Sequence, residues 1–179
     1  MIKRDASLLF VIDIQSKLAP AIANAEGVIA NATKLLNVAH ALELPILATE
    51  QYPKGLGHTV ESLVPLLPDG AIIEKEHFCS TSDPVCAARV RDLGRPQIVL
   101  TGMEAHICVL QTALDLKTRG YQPIIVADAV SSRTAMSHQA ALDRARQADI
   151  EIATTEMVVY EWLEKANTDA FRRVLPRIK

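Results

Sequence analysis

The sequence predicts an α/β fold of three layers, α/β/α, in which a six-stranded parallel sheet lies between helices on both faces. Short apolar runs typical of strands alternate with longer amphipathic stretches through the whole of residues 1–179, and this alternation is typical of parallel sheets with helical crossovers. The run SLLFVID lacks the polar alternation of a half-exposed strand, so we expect both of its faces to be buried. Because no repeat or linker divides the chain, we interpret residues 1–179 as a single domain.

The predicted elements follow one another in regular order. Pro45 ends one helix, while Asp83 as N-cap, Pro84 at the first position and Gly94 beyond the end bound another. The connection 51–70, with three prolines and three glycines, is the one long irregular segment, and connections of this length are commonly lids or binding loops. The predicted strands are 7–13, 45–50, 71–75, 97–102, 122–128 and 150–155, and the predicted helices are 27–44, 83–94, the stretch from the loop after Gly102 to Gly120, 137–149 and a tail ending near Pro176.

The composition argues against several functional classes. The chain is 49% hydrophobic and 22% charged with a net charge of −2, as in an ordinary soluble globular protein. Only 4% of residues are aromatic and no basic stripe is visible, so we expect no nucleic-acid partner. No apolar run approaches the ~20 residues of a membrane span, and the N-terminal stretch lacks the small-residue cleavage site of a signal peptide. Three cysteines without metal-ligand spacing favour a cytoplasmic protein, and the lack of a glycine-rich nucleotide motif predicts no cofactor.

The residues that end the predicted strands are the candidates for chemistry, because ligands of open parallel sheets bind beyond the carboxyl ends of the strands. Asp13 follows five apolar residues, Leu8 to Ile12, and burying a carboxylate is costly unless it is paired or used. A role as helix N-cap is the weaker alternative, since the next predicted helix begins a dozen residues later. Lys75 taken singly is equally well explained as a solvated charge. The strand-ending residues are Asp13, Glu50, Lys75, Gly102 and Asp128.

Cys108 lies about one turn into the helix that follows the fourth strand. Free amides and the dipole of a helix start lower a thiol's pKa, whereas most free cysteines are buried hydrophobes, and position alone does not decide between the two. Cys86, among small apolar residues in mid-helix, is interpreted as core. Together, Asp13, Lys75 and Cys108 form a sensible nucleophilic site. The aspartate accepts the thiol proton, the lysine stabilises negative charge, and amides at the helix start hold an oxyanion.

These segments resemble the isochorismatase-like hydrolases, which are also called cysteine hydrolases. The resemblance implies a Rossmann-like sheet of six parallel strands, a catalytic triad of Asp13, Lys75 and Cys108, and homo-oligomers that are dimers or larger. It also implies a non-proline cis peptide at Met103–Glu104 and an oxyanion hole formed by the amides of Glu104 and Cys108. The matching segments, which lie between about residues 7 and 160, are LLFVIDIQ, EKEHFCS, LTGMEAHICVLQTALDLKTRGY, VADAVSSR and ATTEMVVYE.

Departures from the family pattern narrow the expected chemistry. Nicotinamidases of this family carry an Asp-x-His metal pair just after strand two, where this chain has Glu50-Gln51-Tyr52. His58 alone is a poor substitute, so no catalytic metal is expected. Relatives that hydrolyse the isochorismate vinyl ether generally lack the cysteine, so Cys108 indicates an amide, ureido or ester bond. The segments TEQYPKGLG and GMEAHICVLQTALDL are most similar to the isochorismatase domain-containing branch, whose substrates are poorly defined.

Further residues are candidates for the pocket. Tyr52 and Phe78 are as well explained by plain packing. Arg133 suits a substrate carboxylate, but we consider an ion pair with Asp128 slightly the better explanation. His106 is expected to sit at the helix start rather than bind substrate, and Cys79 is either a second pocket thiol or a buried filler. The candidate substrate-binding residues are Gln15, Tyr52, Phe78, Met103 and Arg133.

The sequence therefore predicts a metal-independent cysteine hydrolase that cleaves a small amide, ureido or ester molecule through a thioester. A C–N bond amidohydrolase is the preferred form of this hypothesis. Two alternatives stay open. One is a non-catalytic or redox-regulatory oligomer on the same fold, in which Cys108 is a reactive thiol. The other is vinyl-ether hydrolysis by Asp13 and Lys75 without the thiol.

Overall fold

The computed structural model describes residues 1–178, in which one sheet of six parallel strands forms the centre of the molecule. The predicted fold class is confirmed. The strand order is β3-β2-β1-β4-β5-β6. All strands are parallel, but the chain adds β2 and β3 on one side of β1 and the later strands on the other side, so the crevice for a ligand is expected beyond the ends of β1 and β4. The strands are β1 (Ser7–Ile12), β2 (Ile46–Gln51), β3 (Ile72–Lys75), β4 (Gln97–Met103), β5 (Gln122–Ser131) and β6 (Glu151–Ala153).

Helices cover both faces of the sheet and give each face its own apolar core. The helices are α1 (Ala25–Ala41), α2 (Pro53–Leu56), α3 (Pro84–Leu93), α4 (Leu110–Thr118), α5 (Ala135–Gln147), α6 (Thr155–Leu163) and α7 (Asp169–Ile178). Leu9 and Val11 of β1 pack in the core shared with α1, α6 and α7. Leu8 and Phe10 pack in the core shared with α3, α4 and α5. Alternate residues of β1 point to opposite faces of the sheet, and helices cover both faces. Every residue of β1 is therefore buried, and its sequence shows no polar alternation.

The capping residues of α3 lie where the sequence predicted them, whereas the tail differs from its prediction. Asp83 is the N-cap of α3, as predicted, and its carboxylate accepts hydrogen bonds from the amides of Val85 and Cys86. Gly94 follows the end of that helix in the left-handed conformation. The tail forms two helices, and Pro176 lies inside α7 rather than marking its end. Within residues 1–178, none of the helices combines the length and apolar composition needed to cross a bilayer.

The predicted end of the fifth strand at Asp128 is wrong. After an irregularity in its pairing with β4, β5 pairs again with Gly102 and Met103 and runs on to Ser131. Asp128 therefore lies within the strand. Its carboxylate accepts hydrogen bonds from the amide and hydroxyl of Thr155, at 2.7 and 3.0 Å, and so stabilises the start of α6. The predicted sixth strand was also too long, because Thr154 caps α6 with its hydroxyl.

The first part of the connection 51–70 is bound to the body of the protein. The side-chain amide of Gln15 donates to the carbonyls of Gln51 and Gly57 and accepts from the Gln51 amide. The buried carboxylate of Glu50 accepts from the amide and hydroxyl of Thr59, at 2.6 and 2.7 Å. Burial would raise the pKa of Glu50, but the bonds from Thr59 and the neighbouring His58 outweigh it, so its pKa lies below the usual value.

Candidate active site

β1 and β4 approach each other closely at the point where the strand order reverses. Gly102 pairs with Ile12, and a Cβ atom at position 102 would collide with the carbonyl oxygen of Ile12. Gly102 also has a φ of 137°, which side chains disfavour. Glycine is therefore required here for two reasons. The result is that Asp13, which follows β1, lies next to the segment that follows β4 and carries Cys108.

Asp13 and Lys75 form a buried ion pair. The Lys75 ammonium donates to Asp13 Oδ2 at 2.7 Å, and neither side chain is exposed. Asp13 Oδ1 accepts a hydrogen bond from the Thr49 hydroxyl at 2.7 Å. The same ammonium donates to Gln51 Oε1 at 2.7 Å and to the His77 carbonyl at 3.2 Å. Both charges thus have the additional hydrogen-bond partners that a buried pair needs to offset its desolvation.

Thr49 and Gln51 are site residues that the sequence reasoning missed. They lie two apart at the end of β2, and side chains two apart in a strand point to the same face. Both therefore face the ion pair, while Glu50 between them faces Thr59 on the other side. The alternation of directions in the segment TEQ was the available signal. It identifies Thr49 and Gln51 only when β2 is known to extend to Gln51.

Cys108 lies in a single π turn, Ala105–Val109, inserted between β4 and α4. The sequence predicted an ordinary helix here. The Val109 amide reaches back five residues to the Glu104 carbonyl at 3.3 Å, which makes the first turn wider than an α-helical turn. Single π turns of this kind are frequent at functional sites. The turn leaves Cys108 only 6% exposed.

Burial raises the pKa of the Cys108 thiol to about 12, and the negative charge of Asp13 acts in the same direction. The charge of Lys75 opposes the rise in the pKa, while the ability of the Asp13 carboxylate to accept the thiol proton adds to it. The backbone amide of Glu104 also favours the thiolate. Of the two explanations that the sequence left open, a pKa lowered by the helix start does not hold, because burial and Asp13 outweigh the amides. The resting group is a protonated thiol beside a base.

The oxyanion-hole prediction concerns the segment that leads into the π turn. The Met103–Glu104 peptide bond is cis. The backbone amide of Glu104, four residues before Cys108, acts to lower the pKa of the Cys108 thiol. The side chain of Met103 has no exposed surface and belongs to the core shared with α1.

The predicted substrate contacts fall into two groups. Gln15, like Met103, is unexposed, and its amide is occupied by the backbone bonds that hold the connection 51–70. Tyr52 and Phe78 are about half exposed, at 53% and 57%. Tyr52 lines a cleft of about 430 Å³ at the end of β3. Lys75 lines the same cleft through its main chain, because its side chain is unexposed.

Arg133 pairs with Glu104, and the predicted ion pair with Asp128 is wrong. The Arg133 Nε donates to Glu104 Oε2 at 2.9 Å, and the Arg133 backbone amide donates to the same oxygen at 3.2 Å. Asp128 is bound instead to the start of α6. His106 lies at the helix start, as expected, with its Nδ1 2.9 Å from the Ser132 hydroxyl.

The two other cysteines lie outside this set of contacts. Cys86 is buried in the core, as predicted, and burial, followed by the charge of Asp83, raises its pKa to about 12. Cys79 is half-buried, with its sulfur 3.4 Å from the Thr81 hydroxyl. Within residues 1–178, no three His, Cys, Asp or Glu side chains are grouped so that they could hold a metal ion.

The chain matches the isochorismatase domain model over residues 7–157. It is 37% identical to isochorismatase family protein 1B of Dictyostelium discoideum, over 98% of this chain and 87% of that protein. It is 35% identical to isochorismatase domain-containing protein 2 of Homo sapiens, over 97% and 83%.

Two solved structures show the same fold. A Caenorhabditis elegans protein called MAR1 ribonuclease superimposes with a TM-score of 0.93 at 35% identity, covering 99% of this chain and 91% of that one. The YcaC gene product of Escherichia coli, an octameric hydrolase of unknown specificity, gives 0.90 at 21% identity, covering 98% and 91%. The second likeness shows the fold alone.

Proposed function

Because this chain belongs to the isochorismatase family, we propose that it is a cysteine hydrolase that cleaves a small amide, ureido compound or ester through a thioester. One observation carries the proposal. Asp13, whose charge raises the pKa of the Cys108 thiol, is itself paired with Lys75 at 2.7 Å, and all three side chains are buried. A nucleophile in contact with a base, and a base held by a third group, is the arrangement that nucleophilic catalysis requires.

In the first half of the reaction, the sulfur of Cys108 bonds to the substrate carbonyl carbon as its proton passes to Asp13. The carbonyl π electrons move to oxygen, where the amides of Glu104 and Cys108 donate hydrogen bonds to the negative charge. Lys75 keeps a positive charge beside the reacting groups. The tetrahedral intermediate then re-forms its carbonyl, and the C–N or C–O bond breaks. The leaving group departs with the proton held by Asp13, which leaves a thioester on Cys108.

In the second half, water replaces the leaving group. Asp13 accepts a proton from the water as the water oxygen bonds to the thioester carbon. The C–S bond then breaks, and the thiolate takes the proton back from Asp13. The acid product leaves, and each group has returned to its starting state. The raised pKa of Cys108 fits this sequence, because a protonated thiol needs a base in contact at the moment of attack.

The surroundings of the thiol favour a small substrate. Cys108 is 6% exposed, so the reacting bond must reach a buried sulfur. The Caenorhabditis elegans relative is called a ribonuclease, which makes RNA a substrate to test. The net charge of −2 disfavours a polyanion, whose binding depends on clustered positive charge. We further propose a cytoplasmic homo-oligomer without a catalytic metal or cofactor, and the Escherichia coli octamer supports the oligomeric part at the level of the fold.

The test is a hydrolysis screen of amides, ureido acids, esters and a short RNA with three proteins: wild type, Cys108→Ala and the matched control Cys86→Ala. We expect at least one small molecule to be cleaved by wild type and by Cys86→Ala, with turnover by Cys108→Ala lower by about 10³-fold or more. Mass spectrometry of the quenched reaction should find the acyl group on tryptic peptide 92–117, which contains Cys108 and neither of the other cysteines. Turnover that survives Cys108→Ala would contradict the proposal and favour the route without the thiol.

A further inference from the structure

The end of β5 contacts the oxyanion-hole segment at two adjacent points. Arg133 donates from both its Nε and its backbone amide to Glu104 Oε2. The hydroxyl of the preceding residue, Ser132, lies 2.9 Å from Nδ1 of His106. The contacts join residues 29 and 26 positions apart. Segment 104–106 is therefore held by side chains as well as by the chain on either side of it.

The Glu104–Arg133 pair differs from an ordinary surface ion pair. The Glu104 side chain is 9% exposed, whereas that of Arg133 is 59% exposed. A buried carboxylate that loses its partner is strongly unfavourable, so the position of Glu104 depends on Arg133. The planar guanidinium also fixes direction, which a lysine ammonium does less well.

Glu104 links this pair to the sulfur through its own backbone. Its backbone amide favours the thiolate of Cys108 and so acts to lower the pKa of that thiol. Its carbonyl accepts from the amides of Ile107 and Val109, at 3.1 and 3.3 Å, and so forms the start of the π turn. One residue thus carries the oxyanion amide, the base of the cysteine turn and the carboxylate that Arg133 holds. A displacement of its side chain would tilt the amide away from the sulfur.

We propose that Ser132 and Arg133 clamp segment 104–106, and that Arg133 is the positioning residue that holds the Glu104 amide at the reacting sulfur. The inference rests on the proposed cysteine chemistry. It gives Arg133 a task different from binding a substrate carboxylate, since its Nε is already occupied by Glu104. Arg133 touches no reacting atom and acts through Glu104.

The experiment measures the rate of Cys108 alkylation by iodoacetamide against pH, read by mass spectrometry on tryptic peptide 92–117. The variants are Arg133→Gln and Arg133→Lys. The matched control is Arg146→Gln, because Arg146 is half-exposed in an ion pair with Asp143 on α5. For the substrate found in the screen, kcat and KM are measured on the same proteins, and circular dichroism checks that each is folded.

We expect Arg133→Gln to slow Cys108 alkylation by about tenfold and to shift its pH profile upwards, because the thiolate loses part of its amide support. The same variant should lower kcat by about tenfold with KM within about twofold. Arg133→Lys should recover part of both losses, and Arg146→Gln should match wild type. A pH profile unchanged from wild type in Arg133→Gln would overturn the proposal. So would a rise in KM with an unchanged profile, since that result assigns Arg133 to the substrate.

The alkylation measurement needs no substrate, so the two proposals fail separately. If wild type shows no turnover that depends on Cys108, the proposed function fails, and the pH profile still decides whether Arg133 positions the amide.

Discussion

Two strand-to-helix connections of this protein bury a cysteine near the start of a helix. Cys86 is the third residue of α3, which follows β3, and Cys108 lies in the π turn that follows β4. Both are almost fully buried. Burial is the largest cause of a raised pKa in both, which reaches about 12 in each. Position in the helix, burial and acidity therefore do not distinguish the two thiols.

The charged neighbours of the two thiols do distinguish them. The charge with the largest effect on the pKa of Cys86 is that of Asp83, the N-cap of its own helix, which is bound to the helix amides. After burial, the strongest influence on the pKa of Cys108 is the charge of Asp13, which raises it, while Lys75 and the Glu104 amide act to lower it. The proposed nucleophile therefore differs from the core cysteine in having the Asp13–Lys75 ion pair as its principal charged neighbours. A helix start alone does not make a thiol reactive.

The largest expected effect removes the proposed proton acceptor, Asp13. Asp13→Asn should lower kcat/KM by about 10³-fold, because proton transfer to a positioned base contributes about 10²–10⁴-fold. The same change should lower the pKa of Cys108, since a negative charge and a hydrogen bond that favours the thiol are both removed. Paired measurements of turnover and of alkylation against pH on wild type and variant test this. An increase in turnover that follows the increase in thiolate would show that Asp13 is not the base.

Folding must be controlled in that experiment, because Asp13→Asn leaves Lys75 without its buried carboxylate. Thr49→Val is the milder companion variant. It removes one hydrogen bond to Asp13 Oδ1 and keeps the carboxylate and its ion pair. We expect a loss of turnover of less than about tenfold from this change. A loss as large as that of Asp13→Asn would indicate damage to the fold at this edge of the sheet.

The second effect is in the pH dependence. Alkylation of Cys108 should rise about tenfold per pH unit from pH 7 to 10 without a plateau, because its pKa lies near 12 and the thiolate is the reactive form. A plateau below pH 8 would contradict this. The folded pKa values of both thiols lie above the unfolded value of about 8.5, so the unfolded state loses these protons first. Stability is therefore expected to fall as the pH rises above about 8.5, as urea unfolding at a series of pH values would show.

The smallest effect concerns the second thiol. Cys86→Ala should leave kcat/KM within about twofold and lower the free energy of unfolding by about 1 kcal/mol, since it removes a buried atom from a packed core. Urea unfolding and steady-state kinetics on the same preparation measure both. A loss of turnover that exceeds the loss of folded protein would give Cys86 a part in the site and weaken the comparison.

The strand ends of the site were predictable, and their partners were not. Asp13, Lys75 and the segment with Cys108 could be identified because polar residues that follow buried runs stand out in the sequence. Thr49 and Gln51 escaped because their direction depends on where β2 ends. The Glu104–Arg133 pair escaped because it requires β5 to continue past Asp128, and that extension depends on an irregular pairing with β4.

The pKa of Cys108 could not be predicted from the sequence for a related reason. A sequence shows that a cysteine lies at a helix start, which lowers its pKa, but not how deeply it is buried or which charge it touches. The π turn was equally invisible, because it differs from an α turn by one residue in the bonding pattern. Both properties belong to the packed structure and not to the periodicity of the chain.

The contact at Gly102 also limits how this protein can be redesigned. Because the backbones of β1 and β4 already touch there, the separation of Asp13 from the cysteine turn cannot be tuned in small steps by changing side chains between the strands. A new substrate preference must therefore come from parts that can vary in size, such as Tyr52, Phe78 and the later part of the connection 51–70. The close contact of β1 and β4 thus fixes the positions of the proposed reacting groups, and the surrounding surfaces are where a change of substrate preference is expected.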